Sequence, residues 1–459
     1  MSLIGERYAS LEMQETWSRE KKIIMERKLW IEVMRIQAEF GVAISQKTIL
    51  DYERVVAEID LVSIDAREME LGHDVKARIE EFNALSGHEQ IHLGMTSRDL
   101  TENVELMQIK IALDLVLTKA RVLLLKLANK AEDFAETLIV ARTHNVPAQL
   151  TTLGKKFATW AEELEIAESN LENLLSRLPI RGIHGAVGTS MDLKELLGSN
   201  AEKFNELFIE KLGFKKSLKA PTQIYPRSID FEVLATLFQL IAAPDSFATN
   251  IRLMSGQGIA TEGLAKGKTG SSAMPHKVNP RLSERLNSLS VILKGHLNMI
   301  ADISGSQWNE GDVSCSAVRR VALPDAFYAT DAILEIAIQL VDKVEFNSKR
   351  IDNEIELHTP EICSSSLLML AIKKGVGREV AHKAVKEHAL ASKGGTNFFD
   401  LVIGDPVLTI EKSEIDKLKS NLRLLSGEAP SQAKKTASSI KQRLLGKVDI
   451  ANFHPLKLR

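Results

Sequence analysis

From residue 100 to about 137 the chain runs without a proline or a glycine, and its apolar residues fall nearly all round the helix that such a stretch forms. A helix that is apolar on every side has no face to give to water, so it must lie among other helices. Four further long helical patterns follow, near 154–178, 228–260, 281–302 and 324–345. Pro244 is expected to kink the third, because it lacks a backbone donor. Five long helices with short connections predict an all-α fold built on a long-helix bundle. Apolar faces on this scale exceed what one bundle covers, which predicts association with further copies of the chain.

The flanking regions read differently. Residues 1 to about 105 alternate short helical patterns with polar breaks, and Trp17, Ile24, Leu29, Val33 and Ile36 keep a helical period. After about 350 the helices shorten again, with turns at Gly394-Gly395 and Gly404-Asp405-Pro406. The 459 residues thus divide into three helical domains, 1–105, 106–350 and 351–459. Aromatics at 5% and a dominance of Leu, Ala, Glu and Lys favour helix over strand. A net charge of −2 points to neither nucleic acid nor a membrane surface as partner. Cys315 and Cys363 make no disulfide framework and fit a reducing, cytoplasmic setting. Residues 1–10 carry no long apolar run, so no leader is expected, and no uncharged apolar stretch of about 18 residues suggests a membrane span. The last thirty residues hold seven Lys/Arg and one acid, which reads as a solvated helical end.

Three polar clusters interrupt the helices. Ile91-His92-Leu93-Gly94-Met95-Thr96-Ser97-Arg98-Asp99 precedes the longest one, where Ser97 or Asp99 suits an N-cap. Ala141-Arg142-Thr143-His144-Asn145-Val146-Pro147-Ala148-Gln149 follows it and reads, on its own, as a helix stop with cations at the negative end of the dipole. The third is Gly270-Ser271-Ser272-Ala273-Met274-Pro275-His276-Lys277-Val278-Asn279-Pro280, followed by Glu284. So small and polar a loop packs poorly as core, but it can close over a ligand and offer backbone N–H groups. Lys277 and Asn279 alternate along a segment pinned by prolines and so point the same way. A cation and an amide donor aimed at one place suit a carboxylate that gains charge during a reaction. His88-Glu89-Gln90-Ile91-His92 also matches the H-E-x-x-H zinc pattern, which needs both imidazoles on one helix face. Gly94 and the Thr96-Ser97 turn leave little room for that helix, so no metal is assigned.

The 270–280 segment resembles, without a gap, the GSSxMPxKxNP signature of the fumarase/aspartase/argininosuccinate lyase superfamily. The resemblance runs from about Arg7 to about Arg320. Arg7-Tyr8, His73-Asp74, Thr96-Ser97, Arg142-Thr143-His144, Thr222-Gln223 with Arg227, Ser283-Glu284-Arg285, and Ser316 with Arg320 look like the adenylosuccinate lyase branch. Two positions depart from it. Gly72 stands where the family usually has arginine before the His-Asp pair, and Gly311 where another arginine usually follows the Trp-x-Glu of residues 308–310. Arg67, Arg98 and Arg319 are the nearby arginines able to compensate.

The resemblance implies a β-elimination that breaks a C–N bond and releases fumarate from a succinyl group on a purine nucleotide or its imidazole precursor. It implies Ser271 as the base, active only in a closed loop, and Lys277 with Asn279 as stabilisers of the aci-carboxylate dianion. His144 is then the general acid, Glu284 holds its tautomer, and His73 orients bound groups. Arg7, Tyr8, Arg285, Ser316 and Arg320 would bind the nucleotide, as arginines and hydroxyls suit a phosphate. Asp74, Thr96, Ser97, Thr143 and Gln223 would complete the substrate contacts. No metal or organic cofactor is implied, and no nucleic acid or membrane partner. A homotetramer is implied, with each site assembled from three chains. A sister lyase acting on argininosuccinate or aspartate remains an alternative; it keeps Ser271, Lys277 and Asn279 but does not need the phosphate set. A non-catalytic scaffold on the same fold is the other alternative, though it has no reason to keep Ser271, His144 and Lys277 together.

Overall fold

The computed structural model describes residues 2–263, 274, 277–392, 395–448 and 453. Six helices open the chain: α1 (Leu3–Tyr8), α2 (Leu11–Thr16), α3 (Arg19–Glu39), α4 (Gln46–Arg54), α5 (Leu61–Leu71) and α6 (Asp74–Ser86). Ser2, Ser10, Ser18 and Ser45 cap the first four, each hydroxyl accepting a backbone N–H from the first turn. Gly72 and Gly87 end α5 and α6 at φ of 64° and 76°, a left-handed conformation that costs glycine little.

The rod expected from residue 100 is α7 (Ser97–Asp133), 37 residues and so about 55 Å long. A hairpin, β1 (Leu138–Thr143) with β2 (Val146–Thr152), leads into α8 (Leu153–Arg177), which packs back along α7. Two short helices, α9 (Met191–Leu197) and α10 (Ala201–Lys211), precede α11 (Ser228–Leu240) and α12 (Ala242–Gly256). The helix expected over 228–260 is therefore two, separated at Ile241. Pro244 lies in the first turn of α12, where its missing N–H has no intrahelical partner to lose. By length and composition the run Ser228–Gly256 is apolar enough to cross a membrane; half of its most apolar window is buried, with Val233, Leu234, Leu237 and Phe247 in the bundle core.

β3 (Ala260–Thr261), α13 (Arg281–Ile303), α14 (Ser316–Lys343) and β4 (Glu345–Phe346) complete the bundle. The α14 pattern, read from the sequence as starting at Pro324, starts at Ser316 and carries the proline inside. Every residue from Ala326 to Val341 is buried, and that packing outweighs the backbone bond the proline removes. After β4 come α15 (Ser348–Leu357), α16 (Thr359–Lys373), α17 (Arg378–Ala391), α18 (Phe398–Ile403), α19 (Lys412–Ser420) and α20 (Ala429–Leu444).

Ion pairs set the direction of the bundle. Arg319 meets Glu105 at 2.8 Å, Lys119 meets Asp331 at 2.5 Å, and Lys126 meets Asp342 at 2.7 Å. Residue numbers rise together, so α7 and α14 run parallel and their N-termini share one end. Pairing of β3 with β4, just after α14, carries the start of α13 to the opposite end. The largest core cluster spans α7, α8 and α11–α14; α20 lies across α7 and α8 and adds Ala433, Ala437, Ile440 and Leu444 to it. A second cluster joins Trp30, Tyr52 and Phe82 to Leu193, Phe204 and Phe208, seating α9 and α10 on the N-terminal helices. A third, around Cys363, Leu367, Phe398 and Val402, holds α16–α18 together.

Candidate active site

The N-termini of α6, α7 and α14 meet at one end of the bundle around a cavity of about 390 Å³. Lys22, His73, Asp74, Ser97, Arg98, Glu105, Ser316 and Arg320 line it. His73 caps α6: its Nδ1 accepts the Lys76 N–H at 3.2 Å. In the neutral ring this leaves the proton on Nε2, which lies 3.4 Å from Ser97 Oγ and can donate toward a ligand. Burial works to raise the neighbouring Asp74 carboxyl, but Arg78, the Val75 N–H and Lys22 together hold the group below its ordinary value. Arg78 is held in turn by the buried Glu26 at 2.7 Å.

The Thr96–Ser97 turn is clamped from below. Thr96, rather than Ser97 or Asp99, is the N-cap of α7; Asp99 closes the capping box by accepting the Thr96 N–H at 2.8 Å. The same buried carboxylate pairs with Arg181 and accepts the His184 N–H at 2.8 Å. Beneath the cavity, Arg227 is bidentate on Glu102 at 2.9 Å, and Arg319 meets Asp230 at 2.7 Å. Burial acts to raise the Glu105 carboxyl, yet Arg319, with Lys22 and Arg227, brings it down to about 2. Arg319 lines the cavity, but its guanidinium is committed to the buried pairs with Glu105 and Asp230 and is not free to compensate for a missing binding arginine. Arg98, paired with Glu102 at 3.1 Å, lines the cavity too, and Arg67 pairs with Glu80.

Both departures from the family pattern have a backbone reason in this chain. Gly72 is the left-handed cap of α5, and Gly311 sits at φ 147°, a conformation side chains rarely adopt. A Cβ at Gly311 would also come within 3.3 Å of the Gln223 Cβ. Gln223 is tied to this loop by its N–H, which donates to the Glu310 carbonyl at 2.9 Å.

The remaining candidates lie elsewhere. The cluster read as a helix stop is the tip of the β1–β2 hairpin: Thr143 pairs with Val146, leaving His144 and Asn145 as a two-residue turn at φ 50° and 62°. Both positive values mark a primed turn, whose twist suits a hairpin. Thr143, His144 and Asn145 are all exposed, and Arg142 anchors the hairpin to Glu354 of α15. Because the hairpin follows the C-terminus of α7, the length of that rod separates His144 from Ser97 within one chain. Lys277, Asn279 and Glu284 lie at the start of α13, whose first N–H groups are capped by Glu262: its carboxylate accepts from Leu282 at 2.9 Å and Ser283 at 2.8 Å. Ser271 lies outside the described residues. Among the described residues no hydrogen bond joins Glu284 to His144. Arg7 donates to Tyr8 Oη at 3.1 Å, and the Arg285 guanidinium lies 5.2 Å from the Tyr8 ring centre. Gly5 lets α1 approach this closely, since a Cβ there would be 2.8 Å from the Tyr328 ring.

The H-E-x-x-H stretch is not helical. His88 Nε2 bonds Asp51 at 2.8 Å, whereas His92 Nδ1 accepts from Trp30 at 3.0 Å. The two imidazoles serve different neighbours and do not form a ligand pair. Burial lowers His92 from 6.5 to about 4.

Comparison with known proteins turns this geometry into a family assignment. Residues 6–295 match the family model described as Lyase, and residues 360–436 match Adenylosuccinate lyase C-terminus. The chain is 31% identical to the adenylosuccinate lyase of Saccharomyces cerevisiae, over 94% of this chain and 92% of that one. It is 30% identical to that of Aquifex aeolicus, over 90% and 94%. It belongs to the adenylosuccinate lyase family. Among solved structures, the 3-carboxy-cis,cis-muconate lactonizing enzyme of Pseudomonas putida superposes with a TM-score of 0.85 at 21% identity, covering 96% of this chain and 99% of that one. The fumarate lyase of Mesorhizobium sp. BNC1 gives 0.83 at 19%, covering 95% and 100%. At these identities the likeness speaks for the fold.

For a chain of the adenylosuccinate lyase family, three structural features were not legible as motifs. Lys22 stands in the first turn of α3 with no local pattern to mark it. Asp99 reads as a cap, and its clamp on residues 181–185 becomes visible only when the fold brings them together. Glu262 reads as a charge before a glycine-rich loop, yet it fixes the start of α13.

Proposed function

We propose that this chain cleaves adenylosuccinate to AMP and fumarate, and likewise releases fumarate from the succinyl-aminoimidazole-carboxamide ribotide. The observation that carries the reading is the cavity in which His73, Asp74, Ser97, Ser316 and Arg320, drawn from three separated stretches, face one space. In this reading Ser271 removes the proton beside a carboxylate, while Lys277 and Asn279 take up the charge of the aci-carboxylate. His144 protonates the departing nitrogen, Glu284 supports it, and His73 orients the ligand through its Nε2 proton. Thr96, Thr143, Gln223, Arg7, Tyr8 and Arg285 complete the substrate contacts.

The separation of His144 from the cavity supports a homotetramer with composite sites. An exposed hairpin tip beyond the C-terminus of α7 and a cavity at the other end of that helix serve one reaction only if different chains supply them. The three-part division at about 105 and 350, and a place in the cytoplasm for an enzyme with two free, buried cysteines, belong to the same proposal. The test is release of fumarate, followed by ultraviolet absorbance, from each nucleotide and from argininosuccinate. Turnover of both nucleotides is expected. Turnover of argininosuccinate alone would reassign the chain to the sister activity, and turnover of none would leave the scaffold reading.

A further inference from the structure

We propose that Lys22 is a phosphate-binding residue of the substrate site, acting with Ser316 and Arg320; this rests on the nucleotide reading above. The charges lining the cavity are unevenly committed. Asp74 is held by Arg78 at 3.3 Å, and Arg98 by Glu102 at 3.1 Å. Arg319 is buried against Asp230 and Glu105 at 2.7 and 2.8 Å. Glu105 is therefore already engaged by Arg319, and the Lys22 ammonium lies 3.6 Å from it, beyond hydrogen-bond reach; Lys22 lines the cavity with a third of its side chain exposed. Arg320 makes no ion pair with any described residue. It stands one turn after Ser316 on α14, so hydroxyl and guanidinium share a face.

Two loosely committed cations and a hydroxyl thus face one space whose carboxylates are held chiefly by arginines, Lys22 adding only its longer contact to Glu105. Such a set suits a dianion with several acceptor oxygens. The planar guanidinium takes two of them, the ammonium supplies a compact charge from another side, and the hydroxyl donates a third bond. The phosphate monoester of a nucleotide meets that description better than a carboxylate, which is planar and singly charged.

The experiment uses full-length protein carrying Lys22→Met, with Lys22→Arg as the conservative variant. Inhibition of fumarate release is measured with AMP and with adenosine, which differ only in the phosphate. Lys22→Met should weaken AMP by about 10- to 100-fold, as expected for one charged hydrogen bond, and leave the adenosine constant unchanged. It should raise KM for the nucleotide substrate more than it lowers kcat, and Lys22→Arg should recover most of the AMP affinity. Equal weakening of AMP and adenosine would mean a structural role for Lys22. Unchanged AMP inhibition would mean that the phosphate lies elsewhere. Either result overturns the inference while the lyase reading stands. A wild-type protein that cleaves neither nucleotide overturns the lyase reading, and the phosphate site with it.

Discussion

His92 illustrates how one buried imidazole makes stability depend on pH. Its proton affinity in the folded chain is lowered from 6.5 to about 4 by burial against Trp30, so between those values the unfolded chain binds a proton that the folded chain does not. Its contribution is complete above about 6.5 and is lost as pH falls toward 4. His92→Asn keeps an acceptor for Trp30, tolerates the φ of 65° at this position, and removes the titration. Urea midpoints measured from pH 7 to 4.5 should therefore fall more steeply for the wild type than for the variant; parallel curves would show that His92 does not titrate differently on folding. The chemistry of such residues was legible in the sequence, but their surroundings were not. The 88–92 stretch carries a zinc spacing, and only the fold reveals that its two histidines face Asp51 and Trp30. Gly72 and Gly311 read as losses of binding groups, and only their φ values reveal that the local backbone is built for glycine.

The element that most changes the picture is the β1–β2 hairpin. Its sequence hides it: the strands are short, Pro147 interrupts the second, and the turn residues are His-Asn rather than the Asn-Gly that announces a primed turn. The long helices were legible because their apolar period repeats over many turns, whereas the break at Ile241 and the start of α14 depend on packing that one segment does not encode. The hairpin also generates a test. Asn145 holds φ 62°, which a β-branched residue accepts only with strain. Asn145→Val should lower kcat by about tenfold or more by displacing His144, while the melting temperature stays close to that of the wild type because the tip is exposed. Asn145→Gly should retain most activity. Full activity in the valine variant would separate the turn geometry from catalysis.

At the scale of the molecule, the rod-like bundle places His73 and His144 at opposite ends of one chain, and complementation follows from that. His144→Gln and His73→Gln should each be nearly inactive alone, by about 10²–10⁴ for loss of a general acid in the first. Mixed in equal amounts with subunit exchange, about a quarter of sites should draw both intact histidines from different chains, by counting over symmetric sites. Recovery near that fraction supports shared sites; no recovery despite proven exchange would place both residues in one chain's site. The position of α20 has a consequence of another kind, for biosynthesis. The groove between α7 and α8 is closed by residues 429–444, which leave the ribosome roughly 250 residues after α8 is complete. At ordinary elongation rates the nascent chain carries that apolar groove open for on the order of tens of seconds. Vectorial synthesis thus leaves that groove uncovered until α20 arrives.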